Sequence, residues 1–425
     1  MKKVLKFIGI FLAILMVGVA ILYFTYNESL PTGLKGKDAD ALANKMLTAL
    51  NYDAFKDTEV LEWSFRETHF YKWNKTENTV LVSWDNNKIQ LDTKNPENTM
   101  VLESDTDEST LDLVQQATRF FNNDSFWLVA PYKVFDQGVE RRLVTYNEKD
   151  ALLITYTSGG TTPGDSYLWI LDETGLPTSY KMWVSIIPIG GLEATWSNWT
   201  TADSGIKLPT EHKLSLLNTT LNMGKVSAYN PKADALATAV LKTIRHEAYK
   251  KTRYIEWNFG GRRSFKWDKQ AHIVTVNWGV NKVILHPNDL EKSTLFVDGK
   301  ESTADKEKLV KRAERSFNND SFWLVAPHKL FEPGIIRSIK TVDGLAALKV
   351  KYTTGGSTPG DSYIWILNEH QLPIKYLMNV PSMKMNQVPA TWEDWFVTES
   401  GTMLPKSHTF SGGRKLSMGA VKAYN

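Results

Sequence analysis

The sequence predicts an α+β protein that contains two tandem curved antiparallel β-sheets, each an open half-barrel with helices on one face. Two observations lead to this fold class. One is an internal duplication that covers most of the chain. The other is an alternation of apolar and polar residues, which is typical of half-exposed strands. An N-terminal transmembrane helix is predicted in addition, because the first apolar run has no polar face.

Composition excludes several classes of function. The 425 residues carry 50 Lys and Arg against 47 Asp and Glu, a net charge of +3, so the chain has no electrostatic footprint for nucleic acid. The absence of cysteine excludes disulfide scaffolds, thiol catalysis and iron–sulfur clusters. Aromatic residues make up 12% of the chain, which favours a β-rich architecture or a surface that contacts lipid.

The N-terminus is predicted to be a membrane-targeting segment. Lys2, Lys3 and Lys6 precede an uncharged run over residues 7–24, which as a helix spans about 27 Å, enough for a bilayer core. Residues 1–26 are therefore interpreted as an anchor, and a cleaved signal remains the alternative. The positive flank predicts anchoring in the inner membrane with the C-terminal part in the periplasm, or export after cleavage. Residues 27–37 are interpreted as a linker.

The remaining chain contains one domain twice. Residues 121–131 recur unchanged as 317–327, and residues 162–167 recur as 358–363 at the same offset of 196. Repeats of this length indicate a tandem duplication of a whole domain rather than a solenoid. The predicted domains are 38–230 and 231–425.

The order of elements is the same in both copies. An opening helix is predicted over 38–50 and over 232–246, followed by three or four strands. A second helix is predicted over 109–121 and 305–317, ending where Asn-Asn-Asp favours a turn or cap. Further antiparallel strands complete each copy. No alternation of parallel strands and helices is present, which argues against a doubly wound sheet.

Comparison of the two copies separates the faces of the strands. Leu152, Ile154 and Tyr156 align with apolar or aromatic residues in the second copy, whereas the counterparts of Leu153 and Thr155 are lysines. Alternate positions that accept lysine predict a strand with one solvent-exposed face.

The polar motifs give little indication of catalysis. The glycine-rich run 159–164 lacks the Lys-Ser/Thr ending of a phosphate loop. Asp124 and Asp165 occur in sequences typical of turns, and His212 and His408 lack the spacing of a metal site. We therefore expect a protein that is not an enzyme and has no cofactor or metal.

Aromatic residues on the apolar side of the strands are the candidate ligand contacts, since an incompletely filled sheet interior can hold an apolar ligand. A packed core remains the alternative. Residues 126–129 are interpreted as a lid element, hinged by Asn-Asn-Asp before it and Pro131 after it. The candidates are Trp63, Phe65, Trp73, Trp84, Phe126, Trp127 and Trp169 in the first copy, and Trp257, Phe259, Trp267, Trp278, Phe322, Trp323 and Trp365 in the second.

Each copy resembles the LolA/LolB-type lipoprotein carriers. The resemblance rests on an opening helix that leads into the strand 63–66, a strand that contains Trp73, a helix in the middle of the unit, and the turn 172–177 before the last strands. It implies an open half-barrel whose hydrophobic mouth is plugged by helices. The resemblance also implies that Arg66 latches the helical lid, although its counterpart in the second copy is Gly260.

The sequence thus predicts an extracytoplasmic, membrane-anchored binding protein. Its expected partners are the membrane and the acyl chains of lipids or lipoproteins, buried against the aromatic faces. A structural envelope module with filled cores is one alternative. A glycan-binding or glycan-processing protein, whose aromatic residues stack on sugars, is the other.

Overall fold

A computed structural model describes residues 23–158, 163–215, 219–354 and 359–425. The described chain divides into two compact units, of which the first ends at Tyr229 and the second extends from Asn230 to Asn425. Within these ranges no helix has the length and apolarity required to cross a membrane. The predicted anchor over residues 1–26 lies outside the described residues except for its last four positions.

Three complete α-helices of each unit lie in the described residues. In the first unit they are α1 (Lys37–Ala49), α2 (Tyr52–Asp57) and α3 (Thr110–Val129). In the second unit they are α4 (Pro231–Thr243), α5 (His246–Lys251) and α6 (Lys306–Val325). Short 3₁₀ turns are formed by Pro96–Asn98, Ala130–Lys133, Leu290–Lys292, Ala326–His328 and Pro381–Met383.

The strands of the first unit form two large sheets and one small one. They are β1 (Val60–Phe65), β2 (His69–Asn74), β3 (Thr79–Trp84), β4 (Asn87–Asp92), β5 (Met100–Glu103), β6 (Val139–Tyr146), β7 (Lys149–Tyr156), β8 (Ser166–Leu171), β9 (Pro177–Trp183), β10 (Leu192–Thr195), β11 (Thr200–Thr201), β12 (Lys207–Leu208), β13 (Glu211–Leu214), β14 (Thr219–Asn222) and β15 (Ser227–Tyr229). The strand orders are β15-β1-β2-β3-β4-β5, β14-β13-β10-β9-β8-β7-β6 and β11-β12.

The second unit repeats this pattern, with differences at the ends of its sheets. Its strands are β16 (Tyr254–Phe259), β17 (Arg263–Asp268), β18 (Ile273–Trp278), β19 (Asn281–Leu285), β20 (Thr294–Val297), β21 (Lys300–Glu301), β22 (Ile335–Val342), β23 (Leu345–Tyr352), β24 (Ser362–Leu367), β25 (Pro373–Val380), β26 (Met385–Thr391), β27 (Phe396–Val397), β28 (Met403–Leu404), β29 (Ser407–Thr409), β30 (Lys415–Ser417) and β31 (Lys422–Tyr424). The strand orders are β21-β20-β19-β18-β17-β16-β31, β22-β23-β24-β25-β26, β27-β28 and β29-β30.

The predicted class, α+β with antiparallel sheets, is confirmed. Neighbouring strands pair antiparallel, for example β7 with β8, where Leu152 lies opposite Trp169 and Ile154 opposite Tyr167. Side chains two residues apart share a face, so these four belong to one apolar surface, and all four are buried.

The main core of the first unit joins its two large sheets and the apolar face of α3. Leu113, Ala117 and Leu128 of α3 pack in one continuous cluster with Trp63 of the β1 sheet and Trp169 of the β8 sheet. In the second unit the same regions form two clusters, one on the β16 sheet and one on the β24 sheet. Trp323 of α6 packs against both.

The outer face of β7 differs from the prediction. Leu153 was expected to be solvent-exposed, but it is fully buried in a second apolar cluster with Ala151 and Leu168. The prediction of an exposed face at this position is therefore wrong for the first unit.

The segment before α1 is bound to the first unit. The backbone N–H of Glu28 donates to the carbonyl of Gly190, and the Nε1–H of Trp183 donates to the carbonyl of Glu28 at 2.8 Å. Gly33 approaches the sheet so closely that a Cβ there would lie 2.8 Å from the carbonyl oxygen of Leu143. The sequence predicted only a linker over these residues, and the structure gives it a defined course along the sheet.

Candidate functional site

Helix α3 packs one face against the core of the first unit because that face is apolar. Leu113, Ala117 and Leu128 recur at the spacing of one helix face and are buried. The helix begins at Ser109, whose side chain accepts a hydrogen bond from the backbone N–H of Asp112 at 3.2 Å, a standard N-cap.

The helix does not end at Asn-Asn-Asp. Both α3 and α6 continue through this motif for a further turn and more, to Val129 and Val325. The predicted hinge, and with it the separate lid element over 126–129, is therefore wrong. Asn and Asp favour caps when their side chains bind the local backbone, but Asp124 points into the core and binds side chains of strand β2.

Asp124 is almost completely buried. Its Oδ2 accepts hydrogen bonds from Nδ1 of His69 at 2.7 Å and from the hydroxyl of Tyr71 at 2.5 Å, and its Oδ1 accepts one from the amide of Asn123 at 2.8 Å. His69 and Tyr71 lie on the same face of β2, two residues apart. Burial, followed by the charge of Asp124, raises the pKa of Tyr71, so the phenol remains a protonated donor.

In the second unit the equivalent carboxylate pairs with a cation. Asp320 of α6 is fully buried and accepts two hydrogen bonds from Arg263, at 2.6 Å from Nε and 3.1 Å from Nη2. Phe265 stands in place of Tyr71. Burial raises the pKa of Asp320, against the opposing effect of Arg263. We refer to Asp124 with His69 and Tyr71, and to Asp320 with Arg263, as the helix anchors of the two units.

Arg66, the predicted latch, lies in the turn between β1 and β2. Its side chain is exposed and its φ is 53°. No ion pair of Arg66 is present within the described ranges. His69, three residues further along, makes the contact between this hairpin and helix α3.

The candidate aromatic residues all lie in the cores of their units. Six of them are buried, and the other eight are partly buried and packed against the same clusters. The buried six are Trp63, Trp84, Trp169, Trp257, Trp278 and Trp365. The partly buried eight are Phe65, Trp73, Phe126, Trp127, Phe259, Trp267, Phe322 and Trp323.

The last turns of α3 and α6 insert aromatic rings into the larger aromatic face. The ring of Phe126 lies 4.5 Å from that of Tyr167, and the ring of Trp127 lies 5.3 Å from that of His212. In the second unit Phe322 and Trp323 make the same contacts, to Tyr363 at 4.6 Å and to His408 at 5.2 Å. These rings occupy the space in which an apolar ligand was expected.

His212 is buried under this helix end. Its Nδ1 lies 2.8 Å from the carbonyl oxygen of Thr195, which can only accept, so Nδ1 carries the proton. Burial lowers the pKa of His212 to about 4, against the opposing effect of the carbonyls of Thr195 and Trp127. His408 is equivalent, with its Nδ1 2.7 Å from the carbonyl of Thr391 and a pKa lowered to about 4 by burial. Both histidines are therefore neutral at pH 7.

No group of three or more His, Cys, Asp or Glu side chains suited to a metal ion is present in the part of the chain that the structure describes. A shallow depression of about 400 Å³ opens instead on the outer face of the first β-sheet. Phe70 and Leu81 form its apolar part, and Ser264 and Thr275 replace them in the second copy. Its lining residues are Glu62, Trp63, Ser64, Phe70, Tyr71, Lys72, Leu81, Ser83 and Lys225.

Comparison with known proteins gives distant structural similarity. The sequence matches no protein-family model and no curated protein. Among solved structures, the crystal structure of a DUF1329 family protein from Desulfovibrio piger aligns with 45% of this chain and 91% of its own length. The identity is 10% and the TM-score is 0.25, which is too low to bear on fold or function.

The helix anchors were missed by the sequence analysis, which assigned Asp124 to a turn. A signal was nevertheless present in the duplication. Asp124 and Asp320 are identical, whereas His69 and Tyr71 are replaced together by Arg263 and Phe265. Two coupled replacements opposite an unchanged acid are the pattern expected when side chains from distant positions share one buried carboxylate.

Proposed function

We propose that each unit is an open half-barrel that binds the acyl chain of a lipid or lipoprotein between its larger aromatic sheet face and helix α3 or α6. We further propose that the protein is anchored in the inner membrane and acts in the periplasm. The ligand enters when the end of the helix is displaced, and the acyl chain takes the place of Phe126 and Trp127, or of Phe322 and Trp323.

The observation that carries this proposal is the polar anchor on the apolar face of an amphipathic helix. A buried carboxylate adds little stability compared with an apolar residue of the same size, but it fixes one position for the element that bears it. Asp124 and Asp320 define such a position for α3 and α6. The aromatic contacts at the helix end are less specific, so an acyl chain of equal apolarity can replace them.

The magnitudes permit this exchange. Removing one large apolar side chain from a core costs about 1.5–3 kcal/mol in transfer free energy, and each buried methylene of a ligand returns about 0.8 kcal/mol. About ten methylenes therefore balance the displacement of two aromatic rings and leave a surplus for binding.

The packing supports a second candidate, a structural module with filled cores. Trp63, Trp169, Trp257 and Trp365 are at most 3% exposed, and the helix ends fill the aromatic faces. A protein that only needs rigid units would be built in this way, and its helices would not open.

Native mass spectrometry of the full chain distinguishes the two candidates. The protein is purified from a membrane-containing host and its mass is compared before and after extraction with organic solvent. Lipid bound at one or two molecules per chain is expected. A bare mass that also stays unchanged after incubation with phospholipid vesicles would exclude binding and favour the structural module.

A further inference from the structure

Four side chains under the end of helix α3 bury polar ring atoms without hydrogen-bond partners. They are Trp169, Tyr180, Trp196 and His212, which we call the buried quartet. Each is at most 2% exposed. Within the described residues no partner is found for Nε1 of Trp169 and Trp196, for the hydroxyl of Tyr180, or for Nε2 of His212.

The quartet is contiguous. The ring of Trp196 lies 4.8 Å from that of His212, 5.1 Å from that of Tyr180 and 6.2 Å from that of Trp169. Trp127 of α3 contacts the quartet, with ring distances of 5.3 Å to His212 and 6.1 Å to Tyr180.

The second unit contains the same quartet with the same unpaired atoms. It consists of Trp365, Tyr376, Trp392 and His408. The ring distances also agree, at 5.0 Å between Trp392 and His408, 5.1 Å between Trp392 and Tyr376, and 6.0 Å between Trp392 and Trp365.

Unpaired buried polar groups are costly and rare in native proteins. Other strand positions diverged between the copies, including those opposite the buried Asp of α3 and α6. The described residues also leave Nε1 of Trp63 and Trp257 and the hydroxyls of Tyr156 and Tyr352 unpaired in both copies. The quartet differs from these because it joins indole and phenol donors with an imidazole in one cluster, a combination suited to a polar group of a ligand.

The donors and acceptors of the quartet restrict the chemistry of that group. An indole N–H only donates, and a tyrosine hydroxyl both donates and accepts. Nδ1 of His212 donates to the carbonyl of Thr195, so Nε2 of the neutral ring is an acceptor, and the nearby carbonyl of Trp127 makes no hydrogen bond with it. A carbonyl would leave this acceptor unpaired. A carboxylate would place a charge beside four neutral groups.

We propose that the buried quartet of each unit binds a hydroxyl group carried on an apolar chain, so that the preferred ligands are hydroxylated acyl chains. A hydroxyl accepts from the indole and phenol donors and donates to Nε2 of the histidine. This inference rests on the proposed function, since Trp127 and Trp323 have to move before a ligand reaches the quartet.

Competition between two fatty acids tests the inference. A fluorescent fatty acid bound to the full chain is displaced by stearic acid or by 12-hydroxystearic acid. The hydroxylated acid is expected to bind about tenfold more tightly, the effect of one well-placed hydrogen bond in an apolar site. The variant with both Tyr180→Phe and Tyr376→Phe should lose most of this preference and show an unchanged or higher Tm.

Tyr132→Phe is the matched control. The Tyr132 hydroxyl is also buried, but it donates to backbone carbonyls, including that of Leu50 at 2.9 Å. Its removal should lower the Tm and leave the preference for the hydroxylated acid unchanged.

The outcomes separate the two proposals. Equal binding of the two acids overturns the hydroxyl site alone. The hydroxyl site is also overturned if the double Phe variant has a lower Tm and an unchanged preference, because that is the result expected for tyrosines bonded to internal water. Failure of either acid to displace the probe, or of the probe to bind, overturns the proposed function and this inference together.

Discussion

The two units hold the same helix in the same place with different chemistry. In the first, Asp124 accepts hydrogen bonds from His69 and Tyr71. In the second, Asp320 accepts a bidentate pair from Arg263, opposite an apolar Phe265. One site thus distributes its donors over two side chains, and the other concentrates them in one guanidinium.

The buried carboxylate, rather than any one of its partners, is therefore the part of the anchor that both units share. A guanidinium supplies charge and two parallel donors. A phenol and an imidazole supply the same number of hydrogen bonds without a permanent charge. The first anchor therefore keeps part of its bonding when one partner is lost, whereas the second depends on Arg263.

Removal of that guanidinium is expected to have the largest effect. Arg263→Met leaves the carboxylate of Asp320 buried with its strongest partner gone, which costs about 3 kcal/mol or more. Hydrogen exchange of the α6 amides measures the loss in the second unit. Combining the change with Asp320→Leu should restore most of the stability. If Arg263→Met alone leaves α6 protected, the anchor does not hold the helix.

Acid is expected to destabilise the second unit more than the first. Burial lowers the pKa of His212 and His408 to about 4 and that of His328 to about 3, below the ordinary value of about 6.5. The unfolded chain then binds more protons between pH 6.5 and 4, so stability is complete above pH 6.5 and is lost as the pH falls. Each buried histidine removes about 2–3 kcal/mol by pH 4.5.

The matched variant for this pH effect is His328→Tyr, since Tyr132 is the residue at the equivalent position of the first unit. Hydrogen exchange at pH 7 and pH 4.5 should show that the variant reduces the acid sensitivity of the second unit towards that of the first. Equal loss of protection in the variant and the parent would show that His328 does not titrate as proposed.

Exchange of the first anchor for the second gives an intermediate effect. Tyr71→Phe removes one hydrogen bond to a charged acceptor and should cost about 1.5–3 kcal/mol in the first unit. Adding His69→Arg creates the pair found in the second unit and should recover most of this loss. Urea unfolding followed by exchange at α3 measures both steps. If the double variant is no more stable than Tyr71→Phe, the surroundings of Asp124, and not the carboxylate itself, determine which side chains can pair with it.

The N-caps of the two helices give the smallest expected effect. Ser109 caps α3 with its side chain, so Ser109→Ala should cost about 1 kcal/mol. The residue at the start of α6, Asp305, has a φ of 55° and its side chain makes no cap hydrogen bond. Asp305→Asn, which keeps a residue that tolerates this left-handed φ, is expected to change stability by less than about 0.5 kcal/mol. Equal losses in both variants would contradict the difference in capping.

Much of the fold follows from local patterns. The alternation at Leu152, Ile154 and Tyr156 predicts a strand because the period of side chains in a strand is a property of the backbone. The opening helix predicted over 38–50 is observed as Lys37–Ala49 for the same reason. Patterns of this kind need no knowledge of what packs against them.

The wrong predictions concern positions whose surroundings are formed by residues distant in the sequence. Leu153 was assigned to solvent because its counterpart Lys349 is polar, yet in the first unit it is fully buried. The end of α3 was predicted at Asn-Asn-Asp because these residues favour caps in isolation. A cap gains one local hydrogen bond, whereas continuing the helix gives Asp124 two bonds from a strand 53 and 55 residues away.

The duplication, the antiparallel α+β class and the concentration of aromatic residues in both copies follow from the amino-acid sequence alone, since each is visible in short stretches of chain. The buried carboxylate that anchors each helix, and the unpaired polar cluster that contains Trp196 and His212, are visible only in the folded chain. Pairing between distant side chains depends on where the strands fold, and the pairing energy of a buried polar group depends on how completely water is removed from it.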